Sequence, residues 1–235
     1  MKNLWKFLFL AGLMVIFCQK KETVSAADFD PSAATETYDC GSATAYWYQS
    51  TGRLVFSGTG YVQNYYYNIL NEEWENPPPY LSHMEEIISA DFHGCFPGEC
   101  CLYGASAMTS VSLPDDTACE EIRAHAFYEC SSLISADVPV GVRTIGLAAF
   151  GCCGSMESIS LPTGIRAIKG FAFQSCSSLR YAFLYSSVTE IGQSAFSHCS
   201  SLRELNIPAG VTSIPSSFAD SYVIAASSSF LRASW

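Results

Sequence analysis

The sequence predicts a mainly β solenoid of stacked 23-residue repeats, with a parallel β ladder, short helical or irregular turns on the back, and an N-terminal β-hairpin cap. Three observations predict it. Cysteines recur at Cys130, Cys153, Cys176 and Cys199, an interval of 23 residues. Further columns keep the same interval: Leu133, Met156, Leu179 and Leu202; Ile145, Ile168, Ile191 and Ile214; and the pairs Ala126-Phe127, Ala149-Phe150, Ala172-Phe173 and Ala195-Phe196. Between the cysteine and isoleucine columns, each unit alternates apolar and polar residues with the period of a short strand. One such unit cannot bury its own apolar face, so copies must stack and share a core.

The chain opens with Lys2 and Lys6 before an apolar run from Phe7 to Cys18, followed by Val24-Ser25-Ala26. This reads as a secretory signal over residues 1–26, because the run is short for a bilayer span and a small-residue cleavage site follows. Cleavage removes four lysines and one glutamate, so the mature chain is more acidic than the full one, whose formal net charge is −10. An acidic surface disfavours nucleic acid and anionic lipid, since phosphate is bound mainly through Lys and Arg. The composition, 49% hydrophobic and 14% charged, is that of a folded chain.

Residues 27–104 read as an N-terminal β cap region with a degenerate repeat. Residues 43–48 and 53–57 alternate around Gln49-Ser50-Thr51-Gly52, predicting a hairpin that covers the first repeat edge. Pro77-Pro78-Pro79 is a stiff loop, and Glu72, Glu73 and Glu75 beside Trp74 are a solvated acidic loop. Ile87, Ile88 and Phe92 carry the degenerate repeat.

Residues 105–218 form the repeats. Strands are expected near 110–113, 135–138, 158–161, 181–184 and 204–207. Proline ends a strand because it has no amide for the ladder. The Val-x-x-Ile part crosses the back, and the Ala-Phe part makes one helical turn with its Phe as a spacer between layers. The copy starting at Met108 has a two-residue insertion between Asp115 and Glu121. Residues 219–235 are a Ser-rich tail. Its Val223, Ile224 and Phe230 are expected to fold back over the last layer, with end-to-end self-association of two chains as the alternative.

The units "IKGFAFQSCSSLRYAF" and "IGQSAFSHCSSLRELNIPAGVTSI" resemble the BspA-type leucine-rich repeat, over residues 105–218. The stretch "CGSATAYWYQSTGRLVFSGTG" from Cys40 to Gly60 resembles the segment that often precedes such repeats. The resemblance implies a leucine-rich-repeat solenoid, and an exported surface protein engaged in adhesion to host matrix proteins or other cells.

No catalytic constellation emerges. Gly104-Ala105-Ser106-Ala107-Met108 lacks the closing glycine of a nucleophile elbow, and the Glu72 to Glu75 carboxylates have no opposing partner. His93, Cys95, Cys100 and Cys101 lie close together, but their spacing matches no zinc framework, so they read as loop residues. Neither a metal nor a cofactor is called for. The repeat cysteines read as buried, inert thiols, and any disulfides belong among Cys40, Cys95, Cys100, Cys101, Cys119 and Cys152. His125 and His198 sit beside core positions and read as partly exposed structural residues.

The function expected is non-enzymatic: a secreted or cell-surface protein presenting a concave β surface to a protein ligand. That surface carries Ser110 and Ser112, Ser135 and Asp137, Ser158 and Ser160, Tyr181 and Phe183, then Glu204 and Asn206. Tyr181, Phe183 and Tyr185 are the candidate ligand-binding residues, because aromatics replace the Ser, Asp and Pro of the other units. The alternative is a carbohydrate-binding or wall-associated module using Tyr65, Tyr66, Tyr67, Trp74 and Tyr80. No membrane insertion is expected after signal cleavage.

Overall fold

A computed structural model describes residues 29–215 apart from Ile69, together with Ser217. The signal and its cleavage site, and the tail with its expected fold-back, lie outside the described residues. The chain divides into two compact units, Met1–Ala33 and Ala34–Trp235. In the first, the described part is a 3₁₀ turn, Pro31–Ala33, where Asp30 Oδ1 accepts bonds from the Ser32 amide at 2.9 Å and hydroxyl at 2.7 Å.

The second unit begins with three antiparallel strands, β1 (Glu36–Asp39), β2 (Ala43–Tyr48) and β3 (Arg53–Tyr61). Strand β2 buries Ala43, Ala45 and Trp47 and turns Thr44, Tyr46 and Tyr48 outward, the alternation its sequence carries. The β2–β3 turn needs Gly52: its φ is +62°, and a Cβ there would sit 2.7 Å from the Glu86 carbonyl oxygen. The expected hairpin is therefore present, with a longer second strand.

Residues 65–81 are not simply a loop. Strands β4 (Tyr66–Asn68) and β5 (Glu73–Asn76) pair antiparallel, and a 3₁₀ segment, Leu81–Glu86, follows. Glu72, Glu73 and Glu75 remain exposed, as expected of a solvated acidic stretch. Strand β6 (Ser89–Phe96) then runs parallel to β3 on one side and to β7 (Ser110–Ser112) on the other, so the hairpin continues the repeat sheet. The degenerate repeat places Ile87 and Phe92 in the core, while Ile88 is exposed.

Next to β7 the front face passes to a second sheet, β9 (Ser135–Asp137), β11 (Ser158–Ser160), β13 (Tyr181–Ala182) and β15 (Glu204–Leu205), all parallel, and the two sheets together form the front ladder. A second parallel ladder, which the sequence reading does not anticipate, runs through the Val-x-x-Ile segments as β8 (Glu121–Ile122), β10 (Thr144–Ile145), β12 (Ala167–Ile168) and β14 (Glu190–Ile191). Its isoleucines Ile122, Ile145, Ile168 and Ile191 all point into the core.

The Ala-Phe segment is a run of tight turns rather than a helical turn. The amides of His125, Phe127 and Glu129 donate across to Leu147, Ala149 and Gly151 of the next layer. Those of Ala126, Tyr128 and Cys130 instead close turns three residues back. Alternating cross-layer and local bonds satisfy every amide of this stretch without a helix. Turns of this kind need left-handed residues, and two columns supply them: His125, Ala148, Phe171 and Ser194, then Glu129, Cys152, Ser175 and His198, with φ between 49° and 60°. Cys100 at φ 52° and Gly104 at φ 79° extend both columns one layer earlier.

Inside, the phenylalanines stack as a column, with centroid separations of 5.1 Å for Phe127–Phe150, 5.7 Å for Phe150–Phe173 and 5.2 Å for Phe173–Phe196. Leu102 takes the place of Phe in the preceding layer. Its amide donates to Ala126 O, as those of Phe127, Phe150 and Phe173 donate to Ala149, Ala172 and Ala195. Cys130, Cys153, Cys176 and Cys199 are fully buried beside this column.

Candidate ligand-binding surface

Two rows of side chains run across the outer face of the front ladder. One carries Ser89, Ser110, Ser135, Ser158, Tyr181 and Glu204; the other Asp91, Ser112, Asp137, Ser160, Phe183 and Asn206. Pairing fixes the first row within each of two sheets, Ser89 with Ser110 in one, and Ser135 with Ser158, Ser158 with Tyr181, and Tyr181 with Glu204 in the other. Small hydroxyls and carboxylates thus give way abruptly to aromatics at one layer. Tyr181 is 49% and Phe183 59% exposed, the largest aromatic exposures on this face. Tyr185, in the proline column, is half-buried, and its ring meets that of Phe183 edge-on at 5.1 Å and 80°. The three candidate residues therefore lie together, with Tyr185 bracing Phe183.

The aromatic layer is also where the ladder changes its bonding. Strand β13 pairs with β11 only through Ser158 and Tyr181. Beyond Ala182, the Asn206 side chain takes over the ladder: its Oδ1 accepts the Leu184 amide at 2.7 Å and its Nδ2 donates to the Leu184 carbonyl at 2.6 Å. In the earlier layer the Val138 amide donates to backbone, Ser160 O, at 3.1 Å. Asn206 stays exposed on this face, but both polar ends of its amide are engaged with the Leu184 backbone.

At the other end of the face, Arg53 Nε donates to Asp91 Oδ2 at 2.6 Å, and both side chains are largely buried. This pair closes the polar rows at β3 and β6.

The amino-terminal aromatics do not form one platform. Tyr65 and Tyr80 are core residues, 1% and 0% exposed. The Tyr80 hydroxyl donates to Cys101 O at 2.7 Å. Tyr66 is exposed, whereas Tyr67 and Trp74 are half-buried and gather around Tyr103, a residue the sequence reading does not single out. Tyr103 in turn contacts Tyr128 at 5.0 Å, and Tyr128 contacts His125. Burial holds the His125 imidazole below its usual pKa.

The cysteines and histidines near residue 95 separate. His93 and Cys95 lie on β6 and not in a loop, while Cys100 and Cys101 lie in the first back turn. Cys95, Cys100 and Cys101 are buried, and among the described residues no group of three or more His, Cys, Asp or Glu is placed to hold a metal ion. All ten described cysteines are free thiols. Burial pushes Cys100 and Cys119 up to about 11 and Cys95 up to about 12. No helix among the described residues is long and apolar enough to cross a membrane.

The profile of the BspA type leucine rich repeat region matches residues 98–224 in six copies. No curated protein matches the chain. Among solved structures it is similar to a leucine-rich repeat protein from Eubacterium ventriosum ATCC 27560, at 21% identity over 77% of this chain and 40% of that one, with a TM-score of 0.45. It is similar also to a leucine rich repeat protein of T. pallidum, at 22% identity over 76% of this chain and 64% of that one, TM-score 0.41. A leucine rich cell surface protein of Faecalibacterium prausnitzii A2-165 matches at 18% identity over 73% and 54%, TM-score 0.42. The chain spans 40% to 64% of the lengths of these three structures.

Proposed function

The chain belongs to the BspA-type leucine-rich repeat family, and from that premise we propose that it is a non-enzymatic, secreted or cell-surface protein whose front β face binds a protein ligand, as in adhesion to a host matrix or to another cell. Within it, residues 1–26 act as the signal peptide, 27–104 as the cap region, 105–218 as the repeats and 219–235 as the tail. The observation that carries the reading is the exposed Tyr181–Phe183 pair on a face otherwise lined by Ser, Asp, Glu204 and Asn206. Large aromatics standing among small hydroxyls supply what interfaces use as anchors: broad contact area with few rotatable bonds. Tyr185 limits the freedom of Phe183 through its edge-on contact, which lowers the entropy lost on binding. The flanking Ser135, Ser158 and Ser160 offer hydrogen bonds without obstructing approach.

Binding to a panel of purified matrix proteins, run beside a glycan array, tests the reading. A protein ligand is expected, with affinity reduced roughly a thousandfold by Tyr181→Ala plus Phe183→Ala, since each anchor contributes about 2 kcal/mol or more. Unchanged affinity in the double variant removes the patch, and binding to glycans alone replaces a protein ligand with a sugar. The carbohydrate reading loses Tyr65 and Tyr80, which are buried in the core.

A further inference from the structure

Away from the front face, a cleft of about 420 Å³ opens between the β4–β5 pair, the Leu81–Glu86 segment and the first back turns. Three rings wall it and touch one another: Tyr67 and Tyr103 at 4.7 Å, Tyr67 and Trp74 at 5.3 Å, Trp74 and Tyr103 at 5.8 Å. Three carboxylates, Glu85, Glu86 and Glu129, also line it, and among the described residues no lysine or arginine does. Its volume is in the range of ordinary ligand sites, large enough for one long side chain with flanking backbone.

Rings alone would suit a sugar as well as a cation, but the acids decide between them. Aromatic faces present negative potential, and carboxylates at the same opening add to it, so a cation gains from both while a neutral sugar gains from neither charge. The protein already uses this chemistry internally: the Arg123 guanidinium lies 3.8 Å above the Tyr61 ring while its Nη1 donates to Asn64 Oδ1 at 2.8 Å. A planar guanidinium stacks on a ring and donates to oxygens at its edge in one pose, which an ammonium does less well.

We propose that the cleft bounded by Tyr67, Trp74, Tyr103, Glu85, Glu86 and Glu129 is a second binding site, which takes an arginine side chain from a partner protein. It is separate from the Tyr181 face, and its occupancy does not depend on that face binding anything.

The probe is the peptide acetyl-Gly-Gly-Arg-Gly-Gly-amide, titrated into the full chain while the indole N–H resonance of Trp74 is followed. Its twin with citrulline, the neutral isostere of arginine, and a chitin tetrasaccharide are run in parallel. Saturable movement of the Trp74 signal by the arginine peptide is expected, with the citrulline twin at least about tenfold weaker and the affinity falling as salt is raised. Glu85→Gln with Glu129→Gln should weaken the arginine peptide by about tenfold or more while leaving the thermal midpoint in place, because both side chains are on the surface. Tyr181→Ala should leave this titration unchanged. Equal affinity for the citrulline twin, saturation by the tetrasaccharide without the arginine peptide, or a Trp74 signal that never moves would each overturn the proposal.

Discussion

The Cys153 thiol donates to the carbonyl oxygen of Phe127, 3.2 Å away and one layer back along the stack. Cys176 does the same to Phe150, and Cys199 to Phe173, each at 3.1 Å. The cysteine column therefore fills space and ties each layer to its neighbour. Cys176→Ala should lower stability by about 1–2 kcal/mol in a denaturant titration, through lost packing and the lost thiol bond. Native protein should resist a bulky thiol reagent at Cys153, Cys176 and Cys199. Rapid labelling there would show the column to be accessible.

Asn206 bears on the binding face indirectly. Replacing it with Ala strips the Leu184 amide and carbonyl of their side-chain partners. Part-buried backbone groups left unpaired should cost about 1–3 kcal/mol. Because Leu184 lies between Phe183 and Tyr185, the same change should loosen that pair. Hydrogen exchange at the Leu184 amide, faster in Asn206→Ala than in the parent, checks it.

Arg53 and Asp91 form a partly dehydrated pair, so each charge depends on the other. Arg53→Met should destabilise by about 3 kcal/mol, since it leaves a carboxylate with little access to water. The double variant Arg53→Met with Asp91→Leu should recover most of that loss. If both variants melt together well below the parent, packing rather than charge explains the position.

Alkali should unfold the protein through its thiols. The folded values of Cys100 and Cys119, about 11, lie above the ordinary 9.0. The folded state therefore keeps protons that the unfolded chain gives up. Stability from this source is fully present below pH 9.0 and declines as pH rises through the folded value of about 11. Cys119 stands in the column of Val142, Ile165 and Val188, so Cys119→Val should fold and flatten part of the decline. A melting temperature that falls equally in both proteins across this range would assign the loss to other groups.

The front ladder could be read from the sequence because its inward residues recur in fixed columns and its strands alternate. The back ladder could not: Thr144-Ile145 and its equivalents are two residues long, too short to show alternation. Strand β6 hid for another reason. Ile87 precedes Met108 by 21 residues rather than 23, and Leu102 stands where Phe is expected, so no column aligns. The adjacent Cys100 and Cys101 suggest a metal by proximity, yet Cys100 holds a left-handed turn position and Cys101 an Ala position. At the site, Tyr181 and Phe183 were legible because they break two columns. The Tyr67–Trp74–Tyr103 cleft was not, because it is assembled from segments that only the β4–β5 pairing brings together.

The turns on the back, with their alternating cross-layer bonds, also set how the repeats respond to force. Each layer is joined to the next by the front ladder, the back ladder and the turn bonds, all lying along the stack, so traction along that direction opens one layer boundary at a time instead of shearing many together. Extension of the repeats should proceed as a staircase at low force, with each released unit lengthening the chain by about 80 Å for its 23 residues. A tether built this way dissipates a pull gradually and re-zips from the layers still standing, as nearest-neighbour coupling permits. A single abrupt rupture in a force-extension trace would show that the layers yield as one body.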